Sequence, residues 1–307
     1  MDCKKEKLQT GVCDRALVKE LLPKRVRNSH KGSYGRAAIV GGCAEYTGAP
    51  YLSAAACLRA GAGYTTLFLP ADILPYYLLK SPEILLKSIS DGGRVAFKRE
   101  NFEKLLEYDC IAYGMGMGVS ESVAQGAAYL LRRFTGRLII DADGLNSLAK
   151  YEKEGLKTLC KQTKSDVIFT PHVKEFSRLC GKELQEILEN PAAIAKTFAA
   201  EYGVTLLLKN SVSILTDGTR VWKNETGNSG QAKGGSGDVL AGIIAGLCAA
   251  GASAFEGGCA AAYLAGKSAE FAAEKLSEYS VTATELISYL GRAFLFVTED
   301  TDEKCGE

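Results

Sequence analysis

Thr226-Gly227-Asn228-Ser229-Gly230-Gln231-Ala232-Lys233-Gly234-Gly235-Ser236-Gly237-Asp238 runs straight into an apolar stretch, 239–251. A glycine-dense loop that opens into a helix is suited to hold a phosphate. Glycine lets backbone N–H groups approach an anion closely, and a helix start adds unpaired donors and the positive end of a dipole. The acid at the mouth is the unusual element, because a carboxylate repels phosphate. Asp238 therefore reads as a base for a neighbouring proton. The competing reading is a helix N-cap, a position where Asp is favoured. The glycines crowded ahead of it turn the balance toward chemistry.

Around this loop, short apolar runs alternate with longer helical periods. That is the pattern of an α/β fold whose mostly parallel sheet is covered on both faces, a three-layer α/β/α arrangement. Strands are expected at 36–40, 64–69, 110–113, 138–140, 167–169 and 205–208, and a hairpin at 212–216 and 220–223 through Asp217-Gly218. Helices are expected over 49–60, 122–134, 173–180, 192–202, 239–250, 254–276 and 283–297. No linker and no internal repeat divides them. The chain 1–307 thus reads as a single domain with its core at about 17–294 and a polar tail at 299–307. Gly41-Gly42, the glycines at 114, 116 and 118, and Asp141-Ala142-Asp143-Gly144 all follow strands. Open parallel sheets bind ligands at that end of their strands.

Bulk composition excludes several classes. Of 307 residues, 47% are hydrophobic and 24% charged, enough apolar content for a large core. A net charge of +1 gives no electrostatic case for nucleic acid or a membrane surface. The basic stretch 19–31 reads as a solvated face. The start, Met1-Asp2-Cys3-Lys4-Lys5-Glu6-Lys7, lacks the apolar segment of a secretion signal, so a cytoplasmic location is expected. The apolar run 239–250 is too short to span a bilayer. Ten cysteines without a C-x-x-C pair read as reduced, buried small hydrophobes. The two histidines, His30 and His172, lie far apart, which argues against a zinc site.

Gly114-Met115-Gly116-Met117-Gly118 after a strand imitates a dinucleotide fingerprint, but G-x-G-x-x-G needs a glycine where Val119 stands. No Walker-type loop is present either. Five further segments belong with the Gly-Asp loop: His30-Lys31-Gly32-Ser33-Tyr34-Gly35, Tyr46-Thr47-Gly48-Ala49, Asp141-Ala142-Asp143-Gly144-Leu145-Asn146, Thr170-Pro171-His172 with Glu175, and Lys209-Asn210-Ser211-Val212-Ser213. Together, in this order, they resemble the ribokinase-like family of NAD(P)H-hydrate dehydratases, from about Leu17 to Phe294.

The resemblance implies a repair enzyme for NADH or NADPH hydrated at C6 of the nicotinamide ring (NADHX, NADPHX). The family phosphorylates that hydroxyl with ADP or ATP, phosphate leaves, and the ring double bond returns. ADP is the expected donor here, with AMP and phosphate as products and Mg²⁺ as cofactor. Asp238 would be the base. Gly235, Ser236 and Gly237 would offer N–H groups to the moving phosphoryl group. By the same resemblance Ala49, Gly116, His172 and Asp238 line the hydrated-nucleotide site, and Lys209, Asn210, Ser211, Val212 and Ser213 hold the AMP moiety of the donor. Glu175 resembles an acid that organises Mg²⁺ through water in related kinases; the alternative is an ordinary first-turn helix acid. Lys31 and Tyr34 are cleft candidates without an assigned role. An epimerase acting upstream and a homo-oligomer also follow from the family, and the epimerase domain many relatives carry ahead has no room in this chain.

Departures from the family pattern are Asn210, where glycine is usual, and Ser229, Gln231 and Lys233, where proline, methionine and threonine are common. Asn tolerates positive φ, so the 209–213 loop is expected to keep its shape. Two other readings stand beside this one. One is a kinase of a small vitamin-precursor alcohol, against which the His30–Gly35 and Thr170–Glu175 segments argue. The other is a nucleotide-binding regulator without turnover, against which Asp238 argues.

Overall fold

The strands of this computed structural model, which describes residues 10–299, are β1 (Thr10–Val12), β2 (Arg36–Val40), β3 (Tyr64–Pro70), β4 (Leu85–Ser90), β5 (Cys110–Tyr113), β6 (Arg137–Ile140), β7 (Asp166–Phe169), β8 (Thr205–Leu208), β9 (Ser213–Thr216) and β10 (Val221–Asn224). They form one ten-stranded sheet in the order β1-β10-β9-β8-β7-β6-β5-β2-β3-β4. From β4 to β8 every neighbour is parallel. β9 runs antiparallel to β8 and β10, and β1 adds to β10 in parallel. The helices are α1 (Arg15–Leu21), α2 (Gly48–Arg59), α3 (Arg99–Glu103), α4 (Glu121–Arg133), α5 (Ala142–Tyr151), α6 (Leu156–Gln162), α7 (Val173–Cys180), α8 (Leu184–Glu189), α9 (Pro191–Tyr202), α10 (Ser236–Ala249), α11 (Ala254–Leu276) and α12 (Ala283–Thr298).

Two apolar layers cover the sheet. Ile39, Ala112, Ile139 and Ile168 point to a core shared with α2, α10, α11 and α12. Their neighbours Ala38, Val40, Ile111, Ile140 and Phe169 point the other way, to α4, α5, α6, α7 and α9. This is the period-two alternation of a strand, applied to strands apolar on both faces. The expected three-layer α/β/α architecture is the one observed.

Strand order reverses between β2 and β5, because the chain runs outward through β3 and β4 and then returns to the other side of β2. A crevice forms beyond the carboxyl ends of strands at such a reversal. Here the two glycine turns meet. Gly42 N donates to Met115 O at 2.8 Å, and a Cβ on Gly41 would stand 2.5 Å from that same oxygen.

α10 lies in the same region, packed backbone to backbone on α2. A Cβ on Gly242 would sit 2.1 Å from the Ser53 carbonyl oxygen, and one on Gly246 2.5 Å from that of Cys57. Asp238, Gly242 and Gly246 are four residues apart and share the face turned to α2. Ser53 Oγ completes the contact by donating to the Asp238 carbonyl at 2.8 Å.

Several elements depart from expectation. β1 and β4 are edge strands, short and largely exposed, so neither carries a strong apolar pattern. β1 and α1 extend the core ahead of residue 17, and α12 runs to Thr298. α5 begins at Ala142, so only Asp141 of the Asp141–Gly144 segment is a connection. The first hairpin strand starts one residue later than expected and the second is shifted by one, since Asp217 Oδ1 collects the N–H groups of Thr219 and Arg220 and closes a longer turn. Seven of the eight described cysteines are buried, as expected. The signal-peptide reading, Cys3, Cys305 and tail residues 300–307 lie outside the described residues.

Two glycines make opposite predictions. Gly242→Ala is expected to destabilise the chain by about 1–3 kcal/mol, because a methyl must be forced against a carbonyl. Gly291→Ala, inside α12 with no atom within 4 Å of the new Cβ, is expected to stabilise by roughly 0.5–1 kcal/mol. Denaturant unfolding measures both; equal effects would show that the α2–α10 approach is not tight.

Candidate active site

α10 starts three residues earlier than expected, at Ser236, and its cap is Gly235 in the left-handed region at φ +97°. A side chain at Gly235 would also meet Leu52 Cδ1 at 2.7 Å and Ala283 Cβ at 2.8 Å. Asp238 is therefore the third residue of the helix, and no side-chain cap bond forms at this terminus. The N-cap reading of Asp238 is set aside. Burial pushes its carboxyl up to about 7, helped by the charges of Asp141, Asp143 and Glu175 and opposed by Lys209. A carboxyl that exchanges its proton near neutrality is matched to acid–base work.

Lys209 stands at the centre of these acids. Its Nζ donates to Asp141 Oδ1 at 2.8 Å, and Asp141 is only 1% exposed. Burial alone would lower the Lys209 ammonium, but the charges of Asp141 and Glu175 outweigh it and hold its pKa above the usual value. Asp141 ends β6, and the next residue, Ala142, takes φ +49°. That conformation costs alanine roughly 1–2 kcal/mol. Asp143 leaves in another direction, its Oδ2 accepting from Gly118 N at 2.8 Å. One strained turn thus ties the lysine loop to the glycine turn after β5.

His172 and Glu175 have structural employment. The His172 Nδ1 accepts from the N–H groups of Lys174 at 3.1 Å and Glu175 at 3.3 Å, while Glu175 Oε2 accepts from His172 N at 2.9 Å. This reciprocal cap starts α7. Burial and the nearby Lys209 lower the imidazole pKa, which keeps the ring neutral and its Nδ1 an acceptor. The ring remains half exposed, with Lys209 bridged to its backbone. Glu175 is buried, and its carboxyl is raised by desolvation.

A cavity of about 660 Å³ opens beside the α10 terminus, lined by Lys209, Asn210, Ser211, Ser213, Ser236 and Gly237. Ser236 Oγ is buried in it without a partner. Thr226 and Asn228 of the glycine loop also line it, and sequence reasoning missed its remaining walls, Asn224, Leu240, Ala262 and Ala265. These come from a strand end and two buried helices, and nothing local in the sequence marks them. Val212 is exposed and does not line the cavity, and Gly235 is the cap of the helix whose next two residues do line it. Ala49 and Gly116 are neighbours, since a Cβ on Gly116 would stand 3.1 Å from Ala49 Cβ. Ala49 lies one helical turn before Ser53 and so near Asp238.

Other expectations need correction. Asn210 has no positive φ; among the described residues only Ala142 and Ser277 do outside glycine. Its side chain instead closes the loop by accepting from Ser211 N at 2.9 Å. Ser229 bonds to Glu278, and Lys233 Nζ donates to the carbonyls of Tyr279 and Val281, at 2.6 Å for the latter. These two departures from the family pattern brace the glycine loop against the turn before α12. Lys31 and Tyr34 are not cleft residues. They lie at the amino ends of β2 and β3, where Lys31 covers the Tyr64 ring and Tyr34 bonds to Ser29 at 2.9 Å. Among the described residues no group of three or more His, Cys, Asp or Glu side chains is placed to hold a metal ion.

The family described as NAD(P)H-hydrate dehydratase matches residues 37–292. The bifunctional NAD(P)H-hydrate repair enzyme Nnr of Thermofilum pendens is 32% identical over 286 residues, covering 91% of this chain and 53% of that protein. The chain thus spans about half the length of the bifunctional relatives it matches. An ADP-dependent (S)-NAD(P)H-hydrate dehydratase of Neisseria meningitidis is 34% identical over 250 residues, 80% of each chain. Among solved structures, the ADP/ATP-dependent NAD(P)H-hydrate dehydratase of Bacillus subtilis, co-crystallised with ATP and Mg²⁺, has a TM-score of 0.80 at 29% identity and covers 94% of this chain and 98% of that one. With this family match over most of its length and these similarities in sequence and fold, the chain belongs to the NAD(P)H-hydrate dehydratase family and has its ribokinase-like fold.

Proposed function

We propose that this chain converts (S)-NADHX or (S)-NADPHX to NADH or NADPH at the expense of ADP, releasing AMP and phosphate. The observation that carries the reading is the Asp238 carboxyl, buried beside an open helix start and the cavity that Lys209 and Ser236 line. Ionised Asp238 takes the proton of the C6 hydroxyl as that oxygen attacks the terminal phosphorus of the donor. The N–H groups of Gly235, Ser236 and Gly237 receive the charge that develops on phosphorus. The orphaned Ser236 hydroxyl finds a phosphate oxygen, and Lys209 offsets the surrounding acids. The C6–O bond then breaks with phosphate leaving, the ring nitrogen supplies electrons, and C5 loses a proton to restore the double bond.

Ala49, Gly116 and the exposed edge of His172 form the wall for the hydrated ring, and the 209–213 loop holds the AMP portion of the donor. Mg²⁺ would enter on the donor's phosphates and keep several of its waters, and Glu175 would be the acid that helps to organise them. Bound there, the ion neutralises phosphate charge. An epimerase acting upstream fits the same role, and the bifunctional relatives have the length for a second activity. No helix among the described residues is long and apolar enough to cross a membrane; work on free nucleotides in the cytoplasm fits the reading. A homo-oligomer is supported by an exposed apolar patch. Tyr46, Tyr76, Leu78 and Leu79 (98% exposed) surround the Tyr77–Thr47 and Tyr51–Lys80 hydrogen bonds that join their segments.

Mixing the purified chain with hydrated NADH and ADP should return the dihydronicotinamide absorbance with release of AMP, and ATP should work less well. Accumulation of a stable phosphate ester of some other alcohol would identify a kinase instead. Asp238→Asn should fold and bind the donor yet lose ~10²–10⁴ in rate.

Stability tests the same carboxyl. Its folded pKa of about 7 stands above the 3.8 of an unperturbed aspartate, so its contribution is full below the unfolded pKa and is lost as pH rises through the folded one. Asp238→Asn should therefore raise the melting temperature more at pH ~8 than at pH ~4. An equal gain at both would place Asp238 in water. Sedimentation should find an oligomer that Leu79→Glu dissociates; a monomeric parent chain would dismiss the patch.

A further inference from the structure

The charged groups around Asp238 are Asp141 before α5, Asp143 within it, Glu175 on α7 and Lys209 after β8. Only one of them is a cation, and it has a choice of partner. Were Lys209 to pair with Asp238, the base would be neutralised and screened from the substrate hydroxyl. The structure shows the other arrangement. Lys209 Nζ is 2.8 Å from Asp141 Oδ1 and 3.4 Å from where a Cβ on Gly237 would stand. The ammonium is thereby parked at the mouth of α10, beside the peptide groups that would receive a phosphoryl group.

Asp141 is built to hold it there. Its side chain is 2% exposed, it sits at the rigid end of a central strand, and it makes no cap bond to α5. The left-handed Ala142 turns the following acid away, so that Asp143 serves the Gly118 N–H and leaves Lys209 to Asp141 alone. Gly114 lets the β5 turn close over this residue, since a Cβ there would stand 2.0 Å from the Asp141 carbonyl oxygen.

We propose that Asp141 is a positioning residue of the reaction: it draws Lys209 away from Asp238, leaving that carboxylate to take the substrate proton while the ammonium faces the transferred phosphate. The inference rests on the dehydratase reading for its kinetic part and on nothing but the fold for its electrostatic part.

Asp141→Asn tests both parts. Carboxyl-labelled aspartate NMR follows the Asp238 titration without turnover. Its midpoint should fall, because a neighbouring negative charge is gone and the released ammonium turns to Asp238. In Lys209→Gln the midpoint should rise. An unmoved midpoint in either folded variant overturns the proposal. In turnover of hydrated NADH with ADP, the acid limb of kcat should shift to lower pH in Asp141→Asn. At pH ~8.5, where Asp238 is ionised in both proteins, kcat should stay roughly tenfold or more down with KM for hydrated NADH little changed. Full recovery at that pH would mean that Asp141 acts through charge alone and would also overturn it. Parent chain that gives the NMR result but no turnover would reject the dehydratase reading and leave the Lys209 placement standing.

Discussion

Gly242 and Gly246 let α10 lie against the backbone of α2, and the register of that contact decides where the open end of α10 points. A helix that met its neighbour through larger side chains would sit farther off, near the usual 8–10 Å separation. Asp238 is the next member of the same four-residue row, so its position is set by packing several turns away from any ligand. Gly235 caps the helix with a left-handed residue that only glycine adopts without strain in so little space. The open helix start and the placement of Asp238 are thus two consequences of one close approach.

Charge completes what packing begins. Several carboxyls converge on the carboxyl ends of the central strands, and each would raise its neighbours' proton affinity. Most are restrained by a specific partner: Asp141 by Lys209, Asp143 by Gly118, Glu175 by the backbone of His172. Among the described residues no hydrogen bond reaches the Asp238 carboxylate, and burial pushes its pKa up to about 7, while Glu175 is raised as well. A buried ion pair such as Lys209–Asp141 contributes little certain stability. Its value lies in fixing where the ammonium stands.

Much of the site was legible in the chain. Glycine needs no context to be recognised at a phosphate loop, and the short apolar strands buried on both faces announce themselves by composition. Asp238, Ser236 and Gly237 were read from that loop and Lys209 from the family resemblance; Lys209, Ser236 and Gly237 line one cavity, and Asp238 lies on the same first turn of α10. The edge strands β1 and β4 were not, because an edge exposes half its residues and blurs the pattern. Asp141 was quoted as part of a motif without a role, since its partner is 68 residues away in sequence. His172 and Glu175 looked like ligand groups, and they also form the two halves of a helix cap, a local pairing that their spacing of three allows.

The sequence by itself determined the fold class and the glycine loop with its acid, because these rest on residue types whose physics is local: glycine's backbone freedom, the apolar period of strands, an acid at a helix start; the family was legible only in the order of its motif segments. Tertiary structure alone decided which acid is free to act and where the one central lysine points. Those depend on distances between strand ends far apart in the chain, and electrostatic energy is a function of distance and burial that no linear spacing records.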